Sequence, residues 1–341
     1  MVHPGIWESL DRVITIELRS AELNPGTLAT LYEAAREKMG GPVTQVASTR
    51  LAEVLRSGAP VVLTTGAGGP PWLFRGETDG PLGLAGLARA LSLGSGALPV
   101  IVTEARSVVP VTATLIAGGV SVLDEALARV RPTTATRVPF TTDPAAAPRE
   151  AEAFLDRWAP AAVIAIEKTS PNRAGVIHSV SGKAWTPAVE FARVEALIAE
   201  ARRRGILTIG IGDMGNEMGF GLIEDTVRKT VARADVCQCP CGQGMASAVA
   251  TDVLIPASVS NWGCYGMEAG LAILKGRPEL LHDAHTERAM LSACAAAGAV
   301  DGLTSRQILA VDGTSGEAQV AIITLLAELI GKALSARPVD Y

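Results

Sequence analysis

The chain has 341 residues, enough for one large α/β domain or two. It is rich in Ala, Val, Leu, Ile and Gly, poor in aromatics, and carries a net charge of −5 with acids and bases interspersed; that balance excludes the basic stripe of a nucleic-acid binder. No uninterrupted apolar run reaches the ~18 residues needed to span a bilayer, so no membrane partner is expected.

The opening stretch MVHPGIWESLDRVITIEL has early acids and no basic region ahead of a small-residue cleavage site. It reads as neither a signal nor a transit peptide, and the default expectation is a cytoplasmic protein. Residues 1–57 read as a helical N-terminal segment. Leu28, Leu31, Tyr32 and Ala35 fall at helical spacing before Gly40–Gly41, and STRLAEVLRSG gives a second amphipathic helix.

Residues 58–335 read as the α/β domain. APVVLTT is a buried strand, followed by GAGGPP and then by Gly76–Glu77–Thr78–Asp79–Gly80–Pro81, which opens a helix. GAGG lacks the G-x-G-x-x-G spacing and meets Pro70–Pro71 where a helix should start, so no NAD or nucleotide is expected. LPVIVTEA is the next strand, VSVLDEALARV a helix and TRVPF a short strand. The Pro/Ala-rich stretch around 143–152 is the best candidate for a hinge. AAVIAIEKTSPNRAG is strand then loop, placing Glu167, Lys168 and Asn172 past the strand's end. WTPAVEFARVEALIAEARRRG is a helix.

The richest stretch is ILTIGIGDMGNEMGFG, residues 206–221: a buried strand breaks into a loop of five glycines around Asp213, Asn216 and Glu217, then a helix begins. Open α/β sheets bind ligands at such strand ends. Further on, VLIPAS is a strand, Ser260–Gly263 a loop, Tyr265–Leu274 a helix, 277–303 helical, and ILAVDGTSGEAQ a last strand, loop and helix carrying Asp312 and Glu317. Strands alternate with helices throughout, which predicts a mostly parallel, doubly wound sheet flanked by helices.

The polar residues recur after strands, so Glu77, Asp79, Glu167, Lys168, Asp213, Asn216, Glu217, Ser260, Asn261, Asp312 and Glu317 are expected to converge. That many carboxylates repel one another unless some are protonated or cations share the site. An oxygen-rich set points to Mg²⁺ or Mn²⁺. Of the four histidines, His282 and His285 form H-x-x-H, read as a solvated helix face. The odd cysteine count, five, argues against a complete disulfide framework. Cys237, Cys239 and Cys241 form C-Q-C-P-C, which is not the common C-x-x-C zinc spacing; a soft-metal or redox site and a run of small thiols beside the pocket both stay open.

The motifs R-G-E-T-D-G-P-L-G, G-I-G-D-M-G-N-E-M-G-F-G, V-S-N-W-G-C-Y-G and A-V-D-G-x-x-x-E, in this order over roughly residues 60–330, resemble the D-glutamate cyclase family, specifically its glutamate cyclase-like C-terminal domain. The resemblance implies a lyase-class cyclising dehydration, D-glutamate to 5-oxo-D-proline, with a small amino dicarboxylate as partner. A hydrolase or isomerase of a related cyclic amide, and a non-catalytic carboxylate-binding protein, stay open as alternatives. On that footing Asp213, Glu217, Glu77 and Asp79 are expected to hold a divalent cation or move protons. Thr78, Glu167, Lys168, Asn172, Asn216, Ser260, Asn261 and Glu317 are expected to bind substrate, with Lys168 and Asn261 on its carboxylates. Asn216 and the loop's glycine N–H groups would stabilise an oxyanion. A homo-oligomer is the base-rate expectation.

Overall fold

The computed structural model describes residues 3–18 and 24–335; the rest of the 1–57 segment, at residues 1–2 and 19–23, lies outside them. In chain order the elements are α1 (Pro4–Ile14), α2 (Thr27–Met39), α3 (Val43–Val54), β1 (Pro60–Gly66), α4 (Asp79–Ser95), β2 (Leu98–Thr103) and α5 (Val108–Ala117). Then come β3 (Ser121–Leu123), α6 (Glu125–Ala128), β4 (Thr134–Arg137), α7 (Ala147–Trp158), β5 (Ala162–Lys168), α8 (Val194–Arg203) and β6 (Leu207–Gly212). The chain continues with α9 (Glu224–Thr230), β7 (Val253–Pro256), α10 (Ser260–Lys275), α11 (Ala284–Ala296), β8 (Ala310–Val311), β9 (Thr314–Ser315) and α12 (Gly316–Ser335).

β1 to β7 form one sheet in the order β3-β4-β2-β1-β5-β6-β7, every pair parallel. Both faces are covered, which is why the strands are near-continuous apolar runs. Val61 and Leu63 of β1 enter a large core shared with α1, α3, α4, α10, α11 and α12. Val62 enters a smaller one under α7 and α8. From β1 the chain moves outward through β2, β3 and β4, then returns to lay β5 on the other side of β1. The strand order therefore reverses between β1 and β5, the crevice where open α/β sheets take ligands. The stretch 143–152 runs into α7 and lies between β4 and β5, which belong to the same sheet.

Several local expectations change. VSVLDEALARV is split into β3 and the short α6, and α8 begins only at Val194, because the residues before it fold as an irregular arm from 169 to 193. Ser260–Gly263 is the first turn of α10 rather than a loop. ILAV contributes to a separate two-stranded antiparallel hairpin, β8–β9, and not to the main sheet. Helix α12 is, by length and composition alone, apolar enough to cross a membrane, contrary to the reading of uninterrupted runs: Thr324, Glu328 and Gly331 interrupt its sequence without lowering its average enough. Its Ile322, Ile323, Leu326 and Ile330 are buried in the large core.

Helix α10 is buried from Ser260 to Ile273. It can lie against α4 because Gly83 has no side chain: a Cβ there would sit 2.8 Å from the Cys264 sulfur and 3.0 Å from the Asn261 Cα. α10 also carries a buried polar network. Glu268 Oε2 lies 2.7 Å from His282 Nδ1, and Glu287 Oε2 lies 2.9 Å from His282 Nε2. Tyr265 donates to Glu287. His282 precedes α11 and is fully buried, so it shares no solvated face with the exposed His285, which corrects the H-x-x-H reading. With a carboxylate on each ring nitrogen, both nitrogens donate and the imidazole is charged. Burial alone would lower its pKa, but Glu268 and Glu287 outweigh that and raise it to about 10.

His282→Ala should cost about 3–5 kcal/mol in urea unfolding, because two buried carboxylates lose their shared cation. The folded value lies above imidazole's ordinary 6.5, so the stabilisation is complete below about pH 6.5 and is lost as pH rises through about 10. The stability gap between wild type and variant should therefore narrow over that range; a constant gap would refute the charged histidine.

Candidate functional site

The carboxyl ends of β1, β5 and β6, together with the β8–β9 turn, deliver five carboxylates to one place. Oxygens of Glu77, Asp79 and Asp312 lie within 4.8 Å of one another, and so do oxygens of Asp79, Glu167 and Asp213, with Asp79 common to both groups. Glu77 follows β1 and is tied by a parallel bridge to Val300. Asp79 is the first residue of α4; its Oδ1 accepts from Gly80 N–H at 2.7 Å, while the buried Oδ2 has no hydrogen-bond partner.

Glu167 is aimed by a fault in the strand. The β1–β5 register runs Thr65↔Ile166 and then Gly66↔Lys168, leaving Glu167 as an extra residue with φ of 41°. A bulge of this kind bends a strand and redirects side chains. Glu167 turns toward the cluster, where Ser260 donates to it from the start of α10. Lys168 turns away and is ion-paired with Glu104 at the end of β2. Asp312 also has left-handed backbone, φ 47°, in the β8–β9 turn. Such backbone strain in non-glycine residues concentrates at functional sites.

Burial and the neighbouring charges of Asp312, Glu77 and Asp213 push Asp79 well above the usual carboxylate range. Burial, then Asp79, Asp213, Glu217 and Glu77, do the same to Glu167. The cluster opens on a cavity of about 460 Å³. Its walls include Glu77, Glu167, Asp213, Asn216 and Asp312 together with Ser179, Ser181, Trp185 and Arg233. Arg233 has left-handed backbone, φ 63°.

The remaining expected site residues are held by other partners, and of them only Asn216 lines the cavity. Glu217 is committed to its own loop: its carboxylate accepts from the N–H groups of Asp213, Met214 and Gly215 at 3.1, 2.9 and 2.7 Å. Those N–H groups are therefore spent on Glu217 and form no oxyanion hole. Asn216 Nδ2 donates to the His178 carbonyl at 3.0 Å, and its buried Oδ1 has no hydrogen-bond partner, so the group it offers is an acceptor. Lys168 is buried on Glu104, and burial lowers its pKa while Glu104 opposes that; it does not line the cavity. Asn261 donates to Tyr265 and Gln319 inside the α10 network. Asn172 braces the arm, donating to the Gly244 carbonyl at 2.7 Å. Thr78 precedes α4 and donates to Ala310. Glu317 is an exposed partner of Arg288 on the surface. Arg233 and Trp185 were missed, since both lie in segments read as helix.

The architecture is that of an α/β protein with an acid-lined cavity at the switch point of a doubly wound sheet. The family model described as D-glutamate cyclase-like, C-terminal, matches residues 32–327, and the chain belongs to this family. The mitochondrial D-glutamate cyclase of Homo sapiens is 35% identical over 80 residues, which are 24% of this chain and 12% of that protein.

Asp79→Asn should stabilise the protein at neutral pH by about 1–3 kcal/mol in urea unfolding with chelator present. The sign follows from the raised carboxyl pKa: the folded state penalises ionised Asp79, a penalty present above the ordinary aspartate value and absent in Asn. A destabilised Asp79→Asn would show that the carboxylates do not repel as described.

Proposed function

We propose that the chain catalyses the cyclising dehydration of a glutamate-like amino dicarboxylate to a lactam, with D-glutamate to 5-oxo-D-proline as the reaction that family membership favours. The observation that carries this reading is the pair of carboxylate clusters that share Asp79 and whose Glu77, Glu167, Asp213 and Asp312 line a cavity sized for a small molecule. Family and fold support a lyase of cyclase type; the substrate belongs to the proposal.

Lactam closure needs a neutral amine and an electrophilic carboxyl, whereas at neutral pH the substrate offers ammonium and carboxylate. A base must take an ammonium proton, and an acid must protonate the departing oxygen. Overall the ammonium loses two protons, the carboxylate loses one oxygen, and these leave as water. In this reading Asp213 acts as the base, and Glu167, whose carboxyl is pushed well above the usual range by burial and the neighbouring acids, acts as the acid. Asn216 Oδ1 is an acceptor for the ammonium group, and Arg233 at the rim is a cation for the second carboxylate, the role first expected of Lys168. Trp185, with Ser179 and Ser181 of the arm, also lines the cavity. Both reacting groups belong to one molecule, so holding it curled provides much of the rate.

The orphaned Asp79 oxygen and the crowding of acids around it fit a divalent cation. Glu77, Asp79 and Asp312 would hold Mg²⁺ or Mn²⁺, without Glu217 and with Asp213 kept as the base. When bound, such an ion supplies positive charge that makes a carboxylate electrophilic.

Incubating the protein with D- and L-amino dicarboxylates and with their lactams, followed by mass spectrometry, tests the reaction and its direction. Accumulation of ring-opened product would favour a hydrolase, and no turnover at all a binding protein. Asp213→Asn and Glu77→Gln should each lower turnover by about 10²–10⁴-fold; full activity in either would remove that residue from the mechanism. Activity unchanged by EDTA would remove the cation.

The rate should also fall on the alkaline side as Glu167 loses its proton, because its raised pKa keeps it an acid at neutral pH. Glu167→Gln, measured for its residual rate, should lack that alkaline limb. A variant that keeps the limb would assign the acid to another group.

A further inference from the structure

Away from the acid cluster, the arm after β5 and the loop after α9 bring four metal-ligating atoms together. The sulfurs of Cys237, Cys239 and Cys241 are mutually 3.2–3.4 Å apart, yet none is in a disulfide. His178 Nε2 lies 3.2 Å from the Cys239 sulfur and 3.7 Å from the Cys241 sulfur. All four atoms fall within 4.8 Å of one another. A tetrahedral zinc site with Zn–S near 2.3 Å has edges of about 3.8 Å, so these atoms occupy the corners of a slightly contracted tetrahedron.

A second, independent feature points the same way. His178 Nδ1 lies 3.1 Å from the Val176 carbonyl, which fixes the proton on that nitrogen and leaves Nε2 as a lone pair facing the sulfurs. Asn172 Nδ2 donates to the Cys241 sulfur at 3.4 Å, the kind of outer hydrogen bond that supports a thiolate ligand. The spacing C-x-C-x-C is what a compact turn permits when the fourth ligand comes from another segment. Cys237 is buried, and Cys239 and Cys241 are half-buried, so an ion can enter from solvent.

We propose that His178, Cys237, Cys239 and Cys241 form a closed Cys₃His site for one Zn²⁺ per chain, with a structural role. Four protein ligands leave no open position for catalysis. On binding, the three thiols release their protons to solvent and no redox step occurs. The ion ties the irregular arm to the loop at 237–241. The arm has no helix or strand ladder of its own; it is held by scattered hydrogen bonds such as Ser170 to Asn216 and Asn172 to Gly244, and by a small apolar cluster of Ile177, Val189 and Phe191, with Trp185 packed on it. It also forms the cavity wall through Ser179, Ser181 and Trp185. The His178 carbonyl accepts from Asn216, so the knot is one residue from the acid site.

The test uses the full chain, purified under reducing conditions, incubated with ZnCl₂ and dialysed against metal-free buffer. Elemental analysis should find about one zinc per chain. Titrating wild type with an organomercurial should release that zinc in step with the cysteine thiols, which needs no variant. Co²⁺ in its place should give thiolate-to-cobalt charge transfer and the intense visible bands of a tetrahedral site. Cys239→Ser and His178→Asn should lose at least about tenfold in zinc retention, and trypsin should cut their arm faster, whereas Asp213→Asn and Glu77→Gln keep their zinc. The proposal is overturned by zinc well below stoichiometry in reduced wild type, by zinc retained in Cys239→Ser, or by a disulfide among the three cysteines in anaerobically purified protein. Because these readouts are metal content, spectrum and proteolysis, they stand or fall separately from any lactam-forming activity.

Discussion

The structure is organised around like charge held out of water. Five carboxylates meet at the β1/β5 crevice, and two of them, Asp79 and Glu167, are buried with pKa values pushed upward by burial and by neighbouring carboxylates. Such a cluster opposes folding, so the scaffold must over-determine it. It does so by drawing the acids from separate elements: a helix start for Asp79, a strand bulge for Glu167, the loop after β6 for Asp213 and a hairpin turn for Asp312. Each is fixed by backbone that belongs to a well-packed layer. The unfavourable electrostatics become useful once a proton or a cation enters, since either is bound by groups already in place.

A single register fault decides much of the chemistry. Glu167 and Lys168 are adjacent, and both stand at the end of β5. The bulge opposite Gly66 sends the acid into the cavity and the base to Glu104. A Cβ on Gly66, whose φ is 147°, would collide with the Glu104 carboxylate, so that glycine makes room for the pair. The same separation appears in the Asp213–Glu217 loop. Glu217 gathers three backbone N–H groups and shapes the turn, leaving Asp213 and the acceptor of Asn216 to face the cavity. One acid shapes the turn, and the other lines the cavity.

The second polar cluster extends this logic to the arm from 169 to 193. This segment has neither helix nor strand ladder to stabilise it, yet it supplies a wall of the cavity. A cross-link through His178 and the three cysteines would supply what its small apolar cluster cannot. The buried Glu268–His282–Glu287 network plays a comparable part behind α10, reaching through Tyr265, Asn261 and Gln319 to Thr314 in the hairpin that carries Asp312.

By itself, the sequence determined the alternating strands and helices, the parallel sheet and the loops that carry Glu77, Asp79 and Asp213. Apolar runs of strand length bounded by glycine read directly, and acids after such runs fall at one edge of a parallel sheet. It also marked the family, through long motifs whose order is a linear property. Only the tertiary structure decided which polar residues share the cavity. Lys168, Asn172, Asn261 and Glu317 carry the right chemistry but are taken by partners distant in the chain: Glu104, Gly244, Gln319 and, on the surface, Arg288. His178 stands 59 residues before Cys237, and no spacing rule could join them. Side-chain direction depends on register and bulges, and partnership depends on which segments meet; neither is a local function of residue type.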